Sequence, residues 1–137
     1  MKTAVLISGH LRTMRECFKN QQWFLYRRLQ DPHFFISCVD DENAQSVQLL
    51  QDAYPGKVFV EKLKQPELPD VSFEYCEHAP YPVTPTKEPG VNPTQGFLRL
   101  FWHLGRVWEF FGQVAKREEF DVVMQEYLQA INKAYRP

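Results

Sequence analysis

The sequence predicts an α/β domain of three layers, helices on both faces of a mostly parallel sheet. Three observations carry that expectation. Short β-rich runs alternate with helically spaced segments in the order strand, helix, strand, helix, strand. The runs are apolar throughout, as strands buried on both faces are, and the links between them are short enough for right-handed crossovers.

The first strand is Ala4 to Ile7, a continuous apolar run that Ser8-Gly9 breaks. From Thr13, the apolar residues Met14, Cys17, Phe18, Phe24, Leu25 and Leu29 recur at helical spacing, and Asp31-Pro32 ends the helix. Phe34 to Val39 is a second buried strand, with Asp40-Asp41-Glu42 at its carboxyl end. Asn43 is placed to cap a second helix through about Tyr54, which turns Ala44, Val47, Leu50 and Leu49 inward and stops at Pro55-Gly56. Lys57 to Glu61 is the third strand.

The segment from about 63 to 94 differs in character. Seven of the ten prolines fall there, which excludes regular helix and central strand and predicts a long irregular loop, with Phe73, Tyr75 and Tyr81 packing part of it. A long buried helix follows from Thr94, with Phe97, Leu98, Phe101, Leu104, Trp108, Phe111 and Val114 on one face and Trp102, Val107 and Phe110 widening it. Phe120 to Met124 is a further strand, and Glu126 to Tyr135 a short terminal helix.

Composition bounds the function. At 137 residues the chain suits one domain, 1–137, with 44% hydrophobic, 24% charged and a high 15% aromatic content. A net charge of -1 with no long basic run gives no long-range field for nucleic acid or anionic lipid. Three widely spaced cysteines, Cys17, Cys38 and Cys76, argue against a disulfide framework or a zinc ribbon and for a reducing compartment. The amino-terminal apolar run is too short for a signal h-region or a membrane span, so the expectation is a cytoplasmic protein.

The candidate site is the stretch after the first strand. In an open α/β sheet, ligands sit beyond the carboxyl ends of strands, where Gly lets backbone N–H groups approach an anion. Ser8 and Gly9 stand there, and Arg12 adds a bidentate donor suited to phosphate. Ile7-Ser8-Gly9-His10-Leu11-Arg12-Thr13 resembles the opening "ISGxLRT" signature of a group of bacterial and viral glycosyltransferase-like proteins with a GT-A type nucleotide-sugar fold. Gln95 to Trp108 followed by Phe120-Asp121-Val122-Val123-Met124 is similar to that group's aromatic helix and the strand after it.

The resemblance implies a Rossmann-like, nucleotide-binding half of a GT-A domain that takes a nucleotide-sugar and transfers the sugar to an unidentified acceptor. Ser8, Gly9, Arg12 and Thr13 would bind the nucleotide diphosphate, with Asp40 at the ribose or base. It also implies a divalent cation, Mn or Mg, on a carboxylate pair beyond the last strand. There the sequence departs: Gln125, Tyr127 and Gln129 stand where the group places Arg, Arg and an acidic residue. The metal is therefore in doubt, no residue stands out as base or nucleophile, and a truncated, non-catalytic nucleotide-binding or interaction module is the alternative.

Other residues have plainer readings. Asp40-Asp41-Glu42 suits a solvated helix entry as well as a ligand contact. Asp121 lies at the wrong end of its strand for catalysis, and His10 reads as a loop-surface residue. Cys76-x-His78 lacks a second ligand pair. His33 and His103 read as packing or surface residues, and Trp23, Trp102 and Trp108 as core. A sheet left with an unpaired edge or an aromatic patch also predicts a homo-oligomer.

Overall fold

The computed structural model describes residues 1–9, 11, 14–39, 46–64, 67 and 93–128, the side chains of 93–97 and 127–128 excepted. They form four strands and three helices: β1 (Thr3–Gly9), α1 (Met14–Phe24), β2 (Pro32–Val39), α2 (Val47–Ala53), β3 (Val58–Leu63), α3 (Pro93–Val114) and β4 (Val122–Leu128), with 3₁₀ turns at Tyr26–Arg28 and Arg117–Glu119. The sheet is wholly parallel in the order β3-β2-β1-β4. This is the expected α/β, Rossmann-like arrangement.

The strand period of two sorts the core onto two faces. Val5, Ile7, Phe34, Ile36 and Cys38 pack with Met14, Phe18, Tyr26, Val47 and Leu50, which places α1 and α2 on one face. Ala4, Leu6 and Phe35 pack with Val107, Phe111 and Phe120, which places α3 on the other. Every residue of β1 is buried, because it is covered on both faces and paired on both edges. On the α3 face, Phe35 stacks on Phe59 at 5.2 Å between ring centroids and meets Phe111 and Phe120 edge-on at 4.8 and 5.7 Å, geometries that aromatic quadrupoles favour.

Several boundaries differ from the sequence reading. β1 runs through Ser8 and Gly9, because both pair in register with β2 and β4. α1 stops at Phe24, which is 66% exposed, and Tyr26 takes the inward place. α2 is shorter than expected and begins after Ser46. On α3 the buried stripe is His103, Val107 and Phe111, while Phe101 and Trp108 are exposed at 67% and 42%. Trp23 is likewise exposed, so the tryptophans are not all core. β4 continues through Leu128, so Glu126 belongs to a strand and not to a terminal helix.

Asp121 closes the amino end of the sheet: its Oδ2 accepts from the Lys2 amide at 2.7 Å, and its own amide donates to the Lys2 carbonyl at 2.8 Å. That is the structural role its position suggested. The Pro-rich segment from 68 to 92, the Asn43 cap, the carboxylates of 40–42, and residues 129–137 lie outside the described residues.

Candidate functional site

α1 and α3 run back against parallel strands, so the amino end of each lies toward the carboxyl edge of the sheet. β1 hands the chain to β2 on one side, whereas β4 arrives on its other side after α3 has crossed the opposite face. The order therefore reverses between β1 and β4, and the carboxyl edge at that reversal is where open α/β sheets leave a crevice for ligands. Gly9 ends β1 there, opposite Cys38 and Leu128, with a φ of 100°. That left-handed value is open to glycine and strained for other residues, so the chain turns out of the strand without a side chain over the edge.

One position below Gly9 a polar row crosses the sheet. Ser8 pairs with Ser37, and Ser37 with Glu61, so the three stand side by side on β1, β2 and β3. They share the α3 face with Leu6, Phe35 and Phe59, which form the apolar row beneath. Ser8 and Ser37 are fully buried. Their hydroxyls and the Oε2 of Glu61 have no hydrogen-bond partner among the described residues. A buried polar atom left unpaired costs about 1–3 kcal/mol, and this row holds three atoms without a partner among the described residues.

α3 lies over this row. Arg106 donates through Nε to Glu61 Oε1 at 2.8 Å, with Nη2 on the same oxygen, and through Nη1 to Glu109 at 3.0 Å. The hydrogen bond it donates to Glu61 is the main reason the guanidinium is held above its ordinary pKa. His103, one turn before Val107 on the inward face, is fully buried toward the same edge. Two hydroxyls that donate and accept, together with a carboxylate oxygen that only accepts, suit a ligand rich in O–H or N–H donors.

The opposite face carries a second polar pair. Glu126 on β4 stands beside Ile7, and the Tyr26 hydroxyl donates to its Oε2 at 2.9 Å while lying 3.2 Å from Gln21 Oε1. Burial pushes the Glu126 carboxyl up, partly offset by the bond from Tyr26. Burial also pushes the Tyr26 phenol up, and the charge of Glu126 adds to that.

Of the residues expected at the site, Ser8 and Gly9 are described and meet at the carboxyl edge. Arg12, Thr13, Asp40 and His10 lie outside the described residues, as do Cys76 and His78. Ser37, Glu61 and Glu126 are not singled out by the sequence. A signal for the first two exists: Ile7-Ser8, Ile36-Ser37 and Val60-Glu61 each place a polar residue directly after a β-branched one near the end of a strand, and register aligns all three pairs. Among the described residues no three His, Cys, Asp or Glu side chains gather to hold a metal ion. Divalent ions take about six oxygen ligands, and Glu61 and Glu126 are already engaged, so the described carboxylates do not fit that role. Among the described residues no helix is long and apolar enough to cross a membrane. No family model, curated protein or solved structure matches the chain.

Proposed function

We propose that this chain is a glycosyltransferase-like domain that binds a nucleotide-sugar at the carboxyl edge of its sheet, in the cytoplasm. The observation that carries the reading is the row Ser8, Ser37 and Glu61, in which both buried hydroxyls and one carboxylate oxygen have no partner among the described residues, beside a positive-φ glycine at the strand-order reversal. The Gly9 end of β1, Arg12 and Thr13 take the diphosphate, and the N–H groups and guanidinium offset its charge as a leaving group departs. Asp40 takes the ribose or base, and the row beneath faces donor hydroxyls. An active chain passes the sugar to a hydroxyl acceptor.

A second reading, a non-catalytic nucleotide-binding module, is favoured by the engagement of Glu61 with Arg106 and of Glu126 with Tyr26, which ties up one oxygen of each carboxylate. Calorimetric titration with UDP, GDP and CDP, with and without Mn²⁺, tests both. Saturable binding weakened by Arg12→Ala and by Ser37→Val supports the nucleotide site, and turnover of a nucleotide-sugar then separates enzyme from module. No binding by a folded sample removes both readings. Self-association through the exposed Phe101 and Trp108 of α3 is part of the proposal, and a monodisperse monomer by light scattering removes that part.

A further inference from the structure

The outer face of α1 sets exposed cations beside exposed aromatic rings. Arg15, Lys19 and Trp23 recur every four residues and so form one stripe along the helix, and Arg27 in the 3₁₀ turn that follows extends it. The Arg27 guanidinium lies over the Trp23 ring, 3.6 Å from its centroid. Phe24 stands beside Trp23 at the end of the helix, and the two are 66% and 55% exposed respectively. Arg28 is exposed next to them. From Met14 to Arg28 the charged residues are Arg15, Lys19, Arg27 and Arg28 against the single acid Glu16. None of the four cations is paired with a carboxylate among the described residues. Lys19, Gln22, Trp23 and Arg27 line an open groove of about 400 Å³ between them.

We propose that this stripe is a docking surface for an anionic phospholipid membrane. Four unpaired cations and two adjacent bare aromatics on one short amphipathic segment are the elements of an interfacial anchor: the rings enter the headgroup boundary while the cations reach the phosphates. The near-neutral charge of the whole chain does not oppose this, because screening confines the attraction to charges within about 10 Å of the surface. Two rival partners fit less well. A nucleic acid would need open ring faces for its bases, and Arg27 already covers one face of Trp23. An acidic polypeptide would satisfy the cations but gives no reason for Trp23 and Phe24 to stand bare together.

The placement also suits a membrane-bound domain. α1 runs from the carboxyl edge of the sheet at Met14 to the amino edge at Phe24, so the aromatic end lies away from the candidate ligand crevice. Docking through it leaves the crevice open to water-borne ligands. The proposal stands independently of what that crevice binds.

Co-sedimentation of the full chain with vesicles of phosphatidylcholine, alone and with phosphatidylserine, tests the surface. The expected result is binding only to the phosphatidylserine vesicles, weakened by added salt. Lys19→Gln and Arg27→Gln each weaken it about fivefold, as expected for loss of one cation near the surface. Brominated phosphatidylserine vesicles quench tryptophan fluorescence in the parent, and Trp23→Phe removes that quenching while Trp102 and Trp108 remain. All three substitutions are at surface positions and leave the thermal unfolding transition in place. Failure of the parent to bind overturns the proposal. Binding indifferent to the three substitutions overturns it equally, as does capture by an oligonucleotide or by polyglutamate without affinity for vesicles.

Discussion

The Tyr26 and Glu126 pair shows how burial sets a pH response that a hydrogen bond only partly offsets. Burial holds the folded-state pKa of Glu126 above the value it has in the unfolded chain, so between those two values the native state binds the extra proton. Stability is therefore full below the unfolded value and falls as pH rises through the folded one. Urea unfolding across the acid range should show that fall in the parent and not in Glu126→Gln, which keeps an acceptor for Tyr26. Tyr26→Phe should destabilise by about 1–3 kcal/mol at neutral pH, because the buried carboxylate loses its donor. Gly9→Ala should lower the unfolding midpoint, at a cost of about 1–2 kcal/mol for a Cβ at a φ of 100°. The same three residues show what a linear reading sees: Gly9 announces its turn, whereas the burial of Glu126 depends on a tyrosine 100 positions away.

Among the elements, the first three strands were legible, and β4 and α3 less so. β1 and β2 are apolar runs buried on both faces, and β3, a half-buried edge strand, still opens on the apolar run Val58-Phe59-Val60, so no helical period competes. β4 is an outer strand among the described residues, and Gln125 and Glu126 broke its pattern even though both have partners there: Gln125 Oε1 accepts from Trp108 Nε1 at 3.1 Å. The α3 stripe was misplaced because so many large apolar residues surround that helix that several faces look equally buried. The packing chose His103, Val107 and Phe111, which leaves Phe101 outside. Hence Phe35→Ala, which empties the centre of four interlocked rings, should cost about 3–5 kcal/mol, and Phe101→Ala should fall within about 0.5 kcal/mol of the parent. Chemical denaturation of the two variants checks the ordering.

For the whole molecule, the parallel sheet puts its polar row and its docking stripe on opposite sides, the row under α3 and the stripe on the outer face of α1. Nucleotide titration and vesicle binding should consequently respond to different substitutions: Ser37→Val should affect the first alone and Lys19→Gln the second alone. Sites more than about 10 Å apart with no shared partner act additively, so a double variant measured in both assays should show the two single effects unchanged. The polar row was hidden from the sequence for a reason of the same scale. Ser8, Ser37 and Glu61 become neighbours only when three strands from three parts of the chain are laid in register.

The strand order has a consequence for the time the chain spends unfinished. β1 is wholly buried, yet one of its edges is filled by β4, and the clasp between Lys2 and Asp121 spans 119 positions. During synthesis β1, β2 and β3 emerge and can zip together while the far edge of β1 waits, bare and apolar, for a strand that is made more than a hundred residues later. Such distant pairing slows the search for the native state and leaves a strand edge open to other chains. The yield of refolding should fall steeply with protein concentration, and a short peptide copying Val122–Leu128 should compete for that waiting edge.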